Sequence, residues 1–107
     1  MPKFLVKANY TTPNGVKGLL SEGGTSRVET VRRLVESLGG RLESFYFAFG
    51  ETDAFVILDL PDNVSAAAAS LTVSASGGAT TEVVALLTAE ELDQATKKSP
   101  AYRAPGT

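Results

Sequence analysis

The spacing of apolar residues along the chain changes between a period of two and a period of three to four. Residues 4–11 alternate apolar with mostly polar side chains, which is typical of a strand with one buried face. Residues 28–38 and 64–75 place apolar side chains three and four positions apart, as in a helix with one apolar stripe. The predicted elements are a strand at 4–11, a short helix at 16–21, a helix from Ser26 to Leu38, strands at 41–49 and 53–60, a helix at 64–75, a strand at 80–87 and a helix from Ala89 to about Lys98.

Local signals fix several ends of these helices. Ser26 to Glu29 and Thr88 to Glu91 both have the capping-box pattern, in which a hydroxyl and a carboxylate each bind a free backbone N–H at the helix start. Gly39 can adopt the left-handed conformation that ends a helix. In the helix at 64–75, the spacing predicts that Val64 and Leu71 lie on the face toward the sheet, together with small alanines that allow close approach.

The order of the elements predicts the fold. Strand, helix, strand, strand, helix, strand is the split βαβ, or ferredoxin-like, arrangement, here followed by a C-terminal helix. We therefore expect an α+β fold with a β-α-β-β-α-β core and a four-stranded antiparallel sheet. Residues 1–98 would form this single domain and residues 99–107 an extended or frayed tail.

The hairpin at residues 42–60 is apolar on both faces, around a short turn from Gly50 to Asp53. One layer of helices covers only one face of a sheet, so we expect the chain to form a homodimer, or a higher oligomer, through the sheet face. The alternative is that the C-terminal helix covers the open face of its own chain. Parity along the hairpin predicts Phe45, Phe47, Phe49, Phe55 and Ile57 on one face and Leu42, Tyr46, Ala48, Val56 and Leu58 on the other.

Composition excludes several classes of function. The formal net charge is -2 and the Lys and Arg residues are spread along the chain, so a nucleic-acid partner is not expected. No segment has the length and apolar character of a membrane span or a signal peptide, and we expect a cytoplasmic protein without a membrane partner. The chain has no His, no Cys and no Trp, which removes the usual general base, thiolate chemistry and the commonest ligands of haem and transition metals. No cofactor and no metal are predicted.

The remaining polar residues give few candidates for a site. Lys7 lies in a strand that is usually central in this fold, where a charged side chain must pair, reach solvent or line a cavity. We expect an ion pair of Lys7 with Glu43 or Asp59 rather than a catalytic lysine, and we expect Asp53 and Asp59 to cap backbone and meet solvent rather than bind a cation. The candidate ligand-binding residues are Lys7, Asn9, Tyr10, Glu43, Tyr46 and Asp53.

One glycine-rich segment precedes the helix that starts near Ser26. The free N–H groups of residues 23–26 could hold an anion, with Arg27 adding positive charge. The segment lacks the Gly-Lys-Ser/Thr of a phosphate-binding loop. We therefore interpret it as a linker and Arg27 as part of a solvated helix face.

Several short segments match the pattern of one known family across nearly the whole chain. They are Tyr10-Thr11, Gly15-Val16-Lys17, Leu38-Gly39-Gly40, Phe45-Tyr46-Phe47, Gly50, Asp53 and Leu60-Pro61-Asp62. On these residues the chain resembles the GYD domain family. The family pattern of Gly, a variable residue, Tyr and Asp corresponds to residues 50–53, and Thr52 replaces the Tyr.

The resemblance implies a subunit of the dimeric α/β-barrel group of ferredoxin-like folds, but no established activity. Related barrels include cofactor-free monooxygenases, haem-degrading enzymes, chlorite dismutases and lactone isomerases, which is an analogy of fold alone. The leading hypothesis is a homodimer that binds a small, largely apolar ligand between sheet and helices, with no resolved catalytic activity. The alternatives are a cofactor-independent oxygenase or isomerase using Tyr10, Lys7, Asn9 or Asp53, and a structural or regulatory assembly module with a filled interior.

Overall fold

A computed structural model describes all 107 residues as four strands and four helices. All the predicted strands and helices are present, and the additional helix follows the last strand. None of the four helices combines the length and the apolar character needed to span a membrane. The elements are β1 (Lys3–Tyr10), α1 (Asn14–Glu22), α2 (Gly24–Ser37), β2 (Arg41–Phe47), β3 (Ala54–Asp59), α3 (Asn63–Ala75), β4 (Ala79–Leu86) and α4 (Ala89–Thr96).

The four strands form one antiparallel sheet in the order β2-β3-β1-β4. The first strand is therefore central, as the ferredoxin-like arrangement requires. Helix α2 packs against β2, and α3 packs against β4. These observations confirm the predicted α+β fold, while the assembly of two sheets into a dimeric barrel stays a prediction.

The hydrophobic core lies between the sheet and the two main helices. Val35 on α2 and Leu60, which follows β3, each have only 1% of their surface exposed. Burying a side chain of this size stabilises the fold by about 1.5–3 kcal/mol. The buried core residues are Phe4, Val35, Leu42, Val56, Leu58, Leu60 and Ala66.

The register of the hairpin corrects the predicted distribution of its side chains. Phe45 pairs with Val56, and Tyr46 pairs with Phe55, so odd positions of β2 lie opposite even positions of β3. The six residues between the strands cause this, because an even-numbered connection pairs odd with even positions. A bulge between Leu42 and Ser44 also moves Leu42 onto the same face as Phe45. The face toward the helices therefore carries Leu42, Phe45, Phe47, Val56 and Leu58, and the prediction that Phe45 and Phe47 share a face with Phe55 and Ile57 is wrong.

The opposite face of the sheet, which we call the open face, still carries apolar residues. Tyr46 is 72% exposed and Phe55 39% exposed, and the strand pairing places them beside Ile57, Leu5 and Val84. The sheet therefore has two apolar faces, as predicted, although the residues on each face differ from the predicted ones.

The C-terminal helix does not cover the open face of its own chain, as the alternative to sheet-to-sheet association required. Every residue from Leu87 to the end of the chain is exposed. The radius of gyration is 16.8 Å, against about 13 Å for a compact domain of this length. The segment 87–107, which we call the C-terminal arm, therefore extends away from the domain.

Helix ends and helix faces agree with the sequence in some places only. Thr88 forms its capping box with Glu91, and Gly39 is left-handed with φ 82°, both as predicted. The capping box at Ser26 is wrong, because α2 already begins at Gly24 and the Ser26 hydroxyl donates to Glu22 Oε1. The predicted inner face of α3 is also wrong. Val64 and Leu71 are exposed, and the face toward the sheet carries Ala66, Ala69 and Val73 instead. Apolar residues lie on all sides of α3, so the sequence pattern did not distinguish its buried face from its exposed face.

Candidate functional site

A cavity of about 60 Å³ lies between the sheet and the helices α2 and α3. Fifteen of its eighteen lining residues are hydrophobic, so its interior suits an apolar molecule. The strand side chains that point into it belong to β1, β2, β3 and β4, and the helical ones come from both helices. The candidate site is thus built on the rigid elements of the fold rather than on loops.

The cavity exists because the facing side chains are small. Ala66, Ala69 and Val73 on α3 lie across from Ala8 on β1 and Ala79 on β4. A larger residue at any of these positions would fill space that is left between the layers. Spaces lined by aliphatic side chains can bind small apolar molecules, and most of the residues that line this cavity are aliphatic.

Two side chains give one end of the cavity a polar character. Tyr10 and Arg27 line the cavity, and both also line the adjoining surface groove beside α1. Burial raises the pKa of the half-buried Tyr10 hydroxyl, and the nearby positive charge of Arg27 opposes this shift. The phenol therefore stays protonated at neutral pH and can donate a hydrogen bond.

A second polar pair lies in the wall formed by α3 and β4. The Ser70 and Thr81 hydroxyl oxygens are 2.6 Å apart, a distance at which either can be the donor. The two hydroxyls thus share one hydrogen bond, so each has a polar partner inside a largely apolar wall.

The six predicted site residues do not meet in this cavity. Tyr10 alone lines it. Lys7, Asn9 and Tyr46 lie on the open face, where Lys7 Nζ is 4.0 Å from Glu82 Oε2. The predicted polar cluster is therefore divided between the two sides of the sheet.

Glu43 and Asp53 lie at opposite ends of the β2–β3 hairpin. Glu43 Oε1 is 2.8 Å from Lys3 Nζ, so Lys3 forms the ion pair that was predicted for Lys7. Asp53 Oδ2 accepts a hydrogen bond from the Tyr10 backbone N–H at 2.9 Å, and Asn9 Oδ1 accepts one from the Asp53 N–H at 3.0 Å. The capping role predicted for Asp53 is confirmed, and it holds the hairpin turn against the end of β1.

The sequence reasoning missed Arg27, Ser70 and Thr81 as cavity residues. Arg27 precedes Val31 by four positions and Leu34 by seven, and all three line the cavity. The helical spacing therefore contained the signal, but a charged residue was assigned to the solvated face. The 23–26 segment does not favour an anion, because the Glu22 carboxylate lies beside it and accepts from the Ser26 hydroxyl.

Comparison with known proteins gives one match. A family model described as GYD domain matches residues 4–96, which includes both helices that line the cavity and all four strands except Lys3. Comparison with curated proteins gives no match, and comparison with solved structures gives none either.

Proposed function

The chain belongs to the GYD domain family, and we propose that it is a homodimeric binding domain that holds a small, largely apolar molecule between sheet and helices. The single observation that carries this proposal is the apolar cavity lined by both layers, with Tyr10 and Arg27 at one end. Concave, mostly apolar sites with a few placed polar groups are the usual form of small-molecule sites.

The cavity supports a binding role over a purely structural one. An assembly module needs no internal space, and close-packed interiors contain few voids larger than a water molecule. Here the side chains of α3 that line the cavity are short, namely Ala66, Ala69, Ser70 and Val73. A ligand would supply the contacts that these short side chains do not make.

The residues considered for an enzyme do not converge on one site. An oxygenase or isomerase using Tyr10, Lys7, Asn9 or Asp53 needs such groups to converge in one enclosed pocket. Lys7 and Asn9 lie on the open face, and the Asp53 carboxylate is bonded to backbone. Only Tyr10 reaches the cavity, so we favour binding over catalysis.

The homodimer part of the proposal rests on the open face. Tyr46, Phe55, Ile57, Leu5 and Val84 are exposed or half-buried there, and the C-terminal arm does not cover them. Burying even four such side chains contributes several kcal/mol, at about 25 cal/mol per Å². A second sheet with the same surface is the partner that fits this face.

Ligand binding can be tested with hexanol as the probe and the methyl resonances of Val31 and Val73 as the readout. We expect saturable shifts of both residues in the original protein. Ala69→Leu should abolish them by filling the cavity, while Ala75→Leu, an exposed position at the end of the same helix, should retain them. Shifts that are absent, or that survive Ala69→Leu in a folded protein, would contradict the binding role.

The homodimer can be tested by size-exclusion chromatography with light scattering. We expect a dimer at micromolar concentration. Phe55→Lys should give a monomer, whereas Leu71→Lys, on the exposed side of α3, should leave the dimer intact. A monomeric original protein would remove the homodimer from the proposal.

A further inference from the structure

Arg27 is the only charged residue that lines the cavity. No carboxylate oxygen lies within 4.0 Å of its guanidinium, although ion pairs of this kind hold Lys3, Lys7, Arg32 and Arg41 elsewhere. Its side chain is only partly exposed. A partly buried cation without a counterion is unfavourable by itself, so the free molecule contains an unmatched charge at the end of an apolar cavity.

An acidic side chain in the groove beside Arg27 is hydrogen-bonded to other residues. Glu22 lines the groove beside Arg27, and its Oε1 accepts hydrogen bonds from the Ser26 hydroxyl at 3.1 Å and the Thr30 hydroxyl at 3.4 Å. The Glu22 carboxylate is therefore held along α2. It leaves Arg27 free to take an acidic group from outside the protein.

Tyr10 provides a second donor at the same end of the cavity. Its ring lines the cavity and its hydroxyl lies near enough to Arg27 for the charge to oppose the rise of its pKa. The other polar groups of the wall, Ser70 and Thr81, are bonded to each other. The Tyr10 hydroxyl and the Arg27 guanidinium thus place two hydrogen-bond donors and one positive charge at the same end of the cavity. The rest of the cavity is largely apolar.

We propose that the ligand of this site is a small amphipathic carboxylic acid, whose carboxylate binds Arg27 and the Tyr10 hydroxyl and whose apolar part lies between α3 and the sheet. The inference rests on the proposed binding function and adds the chemical class of the ligand. A guanidinium binds a carboxylate through two parallel hydrogen bonds, which a neutral amide or alcohol cannot match. The cavity of about 60 Å³ has room for part of a short aliphatic chain.

The test compares three probes by isothermal titration calorimetry at neutral pH: hexanoate, hexanamide and acetate. Hexanoate and hexanamide share the apolar chain, and hexanoate and acetate share the carboxylate. We expect hexanoate to bind about tenfold or more tightly than either, as a charge-assisted hydrogen bond added to apolar burial implies. Equal affinity for hexanoate and hexanamide would overturn the acid assignment.

Variants of Arg27 assign the preference to this residue. Arg27→Gln should reduce hexanoate affinity to that of hexanamide measured on the same variant, so that the preference for the acid is lost. The matched control is Arg33→Gln, an exposed arginine on the same helix without an ion pair, which should keep the preference. If Arg27→Gln does not fold, Arg27→Lys is used, and it should retain part of the preference because the charge remains.

The outcomes separate the acid assignment from the binding function. Binding of hexanamide with no gain for hexanoate would retain the cavity and overturn the acid. A preference that persists in folded Arg27→Gln would overturn the role of Arg27. Absence of binding by both six-carbon probes would overturn the acid and the proposed function together.

Discussion

Lys3 and Asp59 lie directly opposite each other on β1 and β3, with Lys3 Nζ 2.9 Å from Asp59 Oδ1. Arg41 Nη2 is 3.1 Å from the other carboxylate oxygen, and Lys3 also reaches Glu43. Asp59 is only 6% exposed. This group of charges holds together the ends of three strands on the open face, where the sequence had predicted Lys7 as the partner of Asp59 or Glu43.

Asp59→Asn should lower the free energy of unfolding at neutral pH, and this free energy should then depend less on pH in the acidic range. The hydrogen bond from Lys3, followed by that from Arg41, lowers the pKa of Asp59 below its ordinary value of 3.8. Below that value the unfolded chain binds a proton that the folded protein does not, so the stabilisation is present above about pH 4 and is lost as pH falls through the folded pKa. The loss at pH 7 should be about 1–3 kcal/mol.

Urea unfolding at pH 7, 4 and 3 checks this prediction. The difference between Asp59→Asn and the original protein should shrink as the pH falls. Glu36→Gln, at an exposed helical position without an ion pair, is the control and should follow the original protein. A difference that stays constant with pH would show that the Asp59 charge has no part in the effect.

Asp53→Ala should loosen the link between the hairpin turn and β1. The carboxylate accepts from the Tyr10 N–H, and leaving that group without its partner costs about 1–3 kcal/mol if it stays buried. The expected result is a lower urea midpoint and faster hydrogen exchange of the Tyr10 amide. Glu51→Ala, in the same turn and exposed, should change neither quantity, and an unchanged Tyr10 exchange rate in Asp53→Ala would contradict the proposed link.

Replacing two glycines with alanine should change the stability of the protein in opposite directions. A Cβ on Gly40 would overlap the Asp59 carbonyl oxygen and come within 2.7 Å of Leu60 Cδ2, so Gly40→Ala should destabilise the protein by about 1–3 kcal/mol. A Cβ on Gly18, inside α1, meets nothing within 4 Å, and Gly18→Ala should stabilise it by about 0.5–1 kcal/mol. Thermal unfolding of both variants gives the comparison, and equal effects would contradict the described packing at the start of β2.

The sequence predicted the elements and their order because each leaves a local signal. Alternation marked β1, helical spacing marked α2, and Thr88 marked the start of α4. The pairing register of β2 with β3 is not local, because it depends on where the ladder stops and on the bulge near Leu42. The face of Phe45 was therefore predicted wrongly.

The candidate site was predictable only in part, for a related reason. Tyr10 was found because its parity on β1 could be read directly. Arg27 was not predicted as a cavity residue, because its charge was given more weight than its helical spacing from Val31. Charged residues near a helix end can lie on either face. Ser70 and Thr81 become partners only when α3 lies on β4, and nothing within either segment indicates that contact.

Deletion of residues 88–107 should leave the free energy of unfolding of the isolated domain unchanged within about 0.5 kcal/mol. Every residue of the arm is exposed, and a helix of eight residues is marginal in water without packing. Thr88→Ala, which removes the capping hydroxyl, should accordingly lower helical circular dichroism without moving the urea midpoint. Both variants are measured at a concentration where light scattering finds monomer and again at one where it finds dimer. A midpoint that falls on truncation would mean that the arm packs on the domain, contrary to the structure; a midpoint that falls only at dimer concentrations would place the arm against the second subunit.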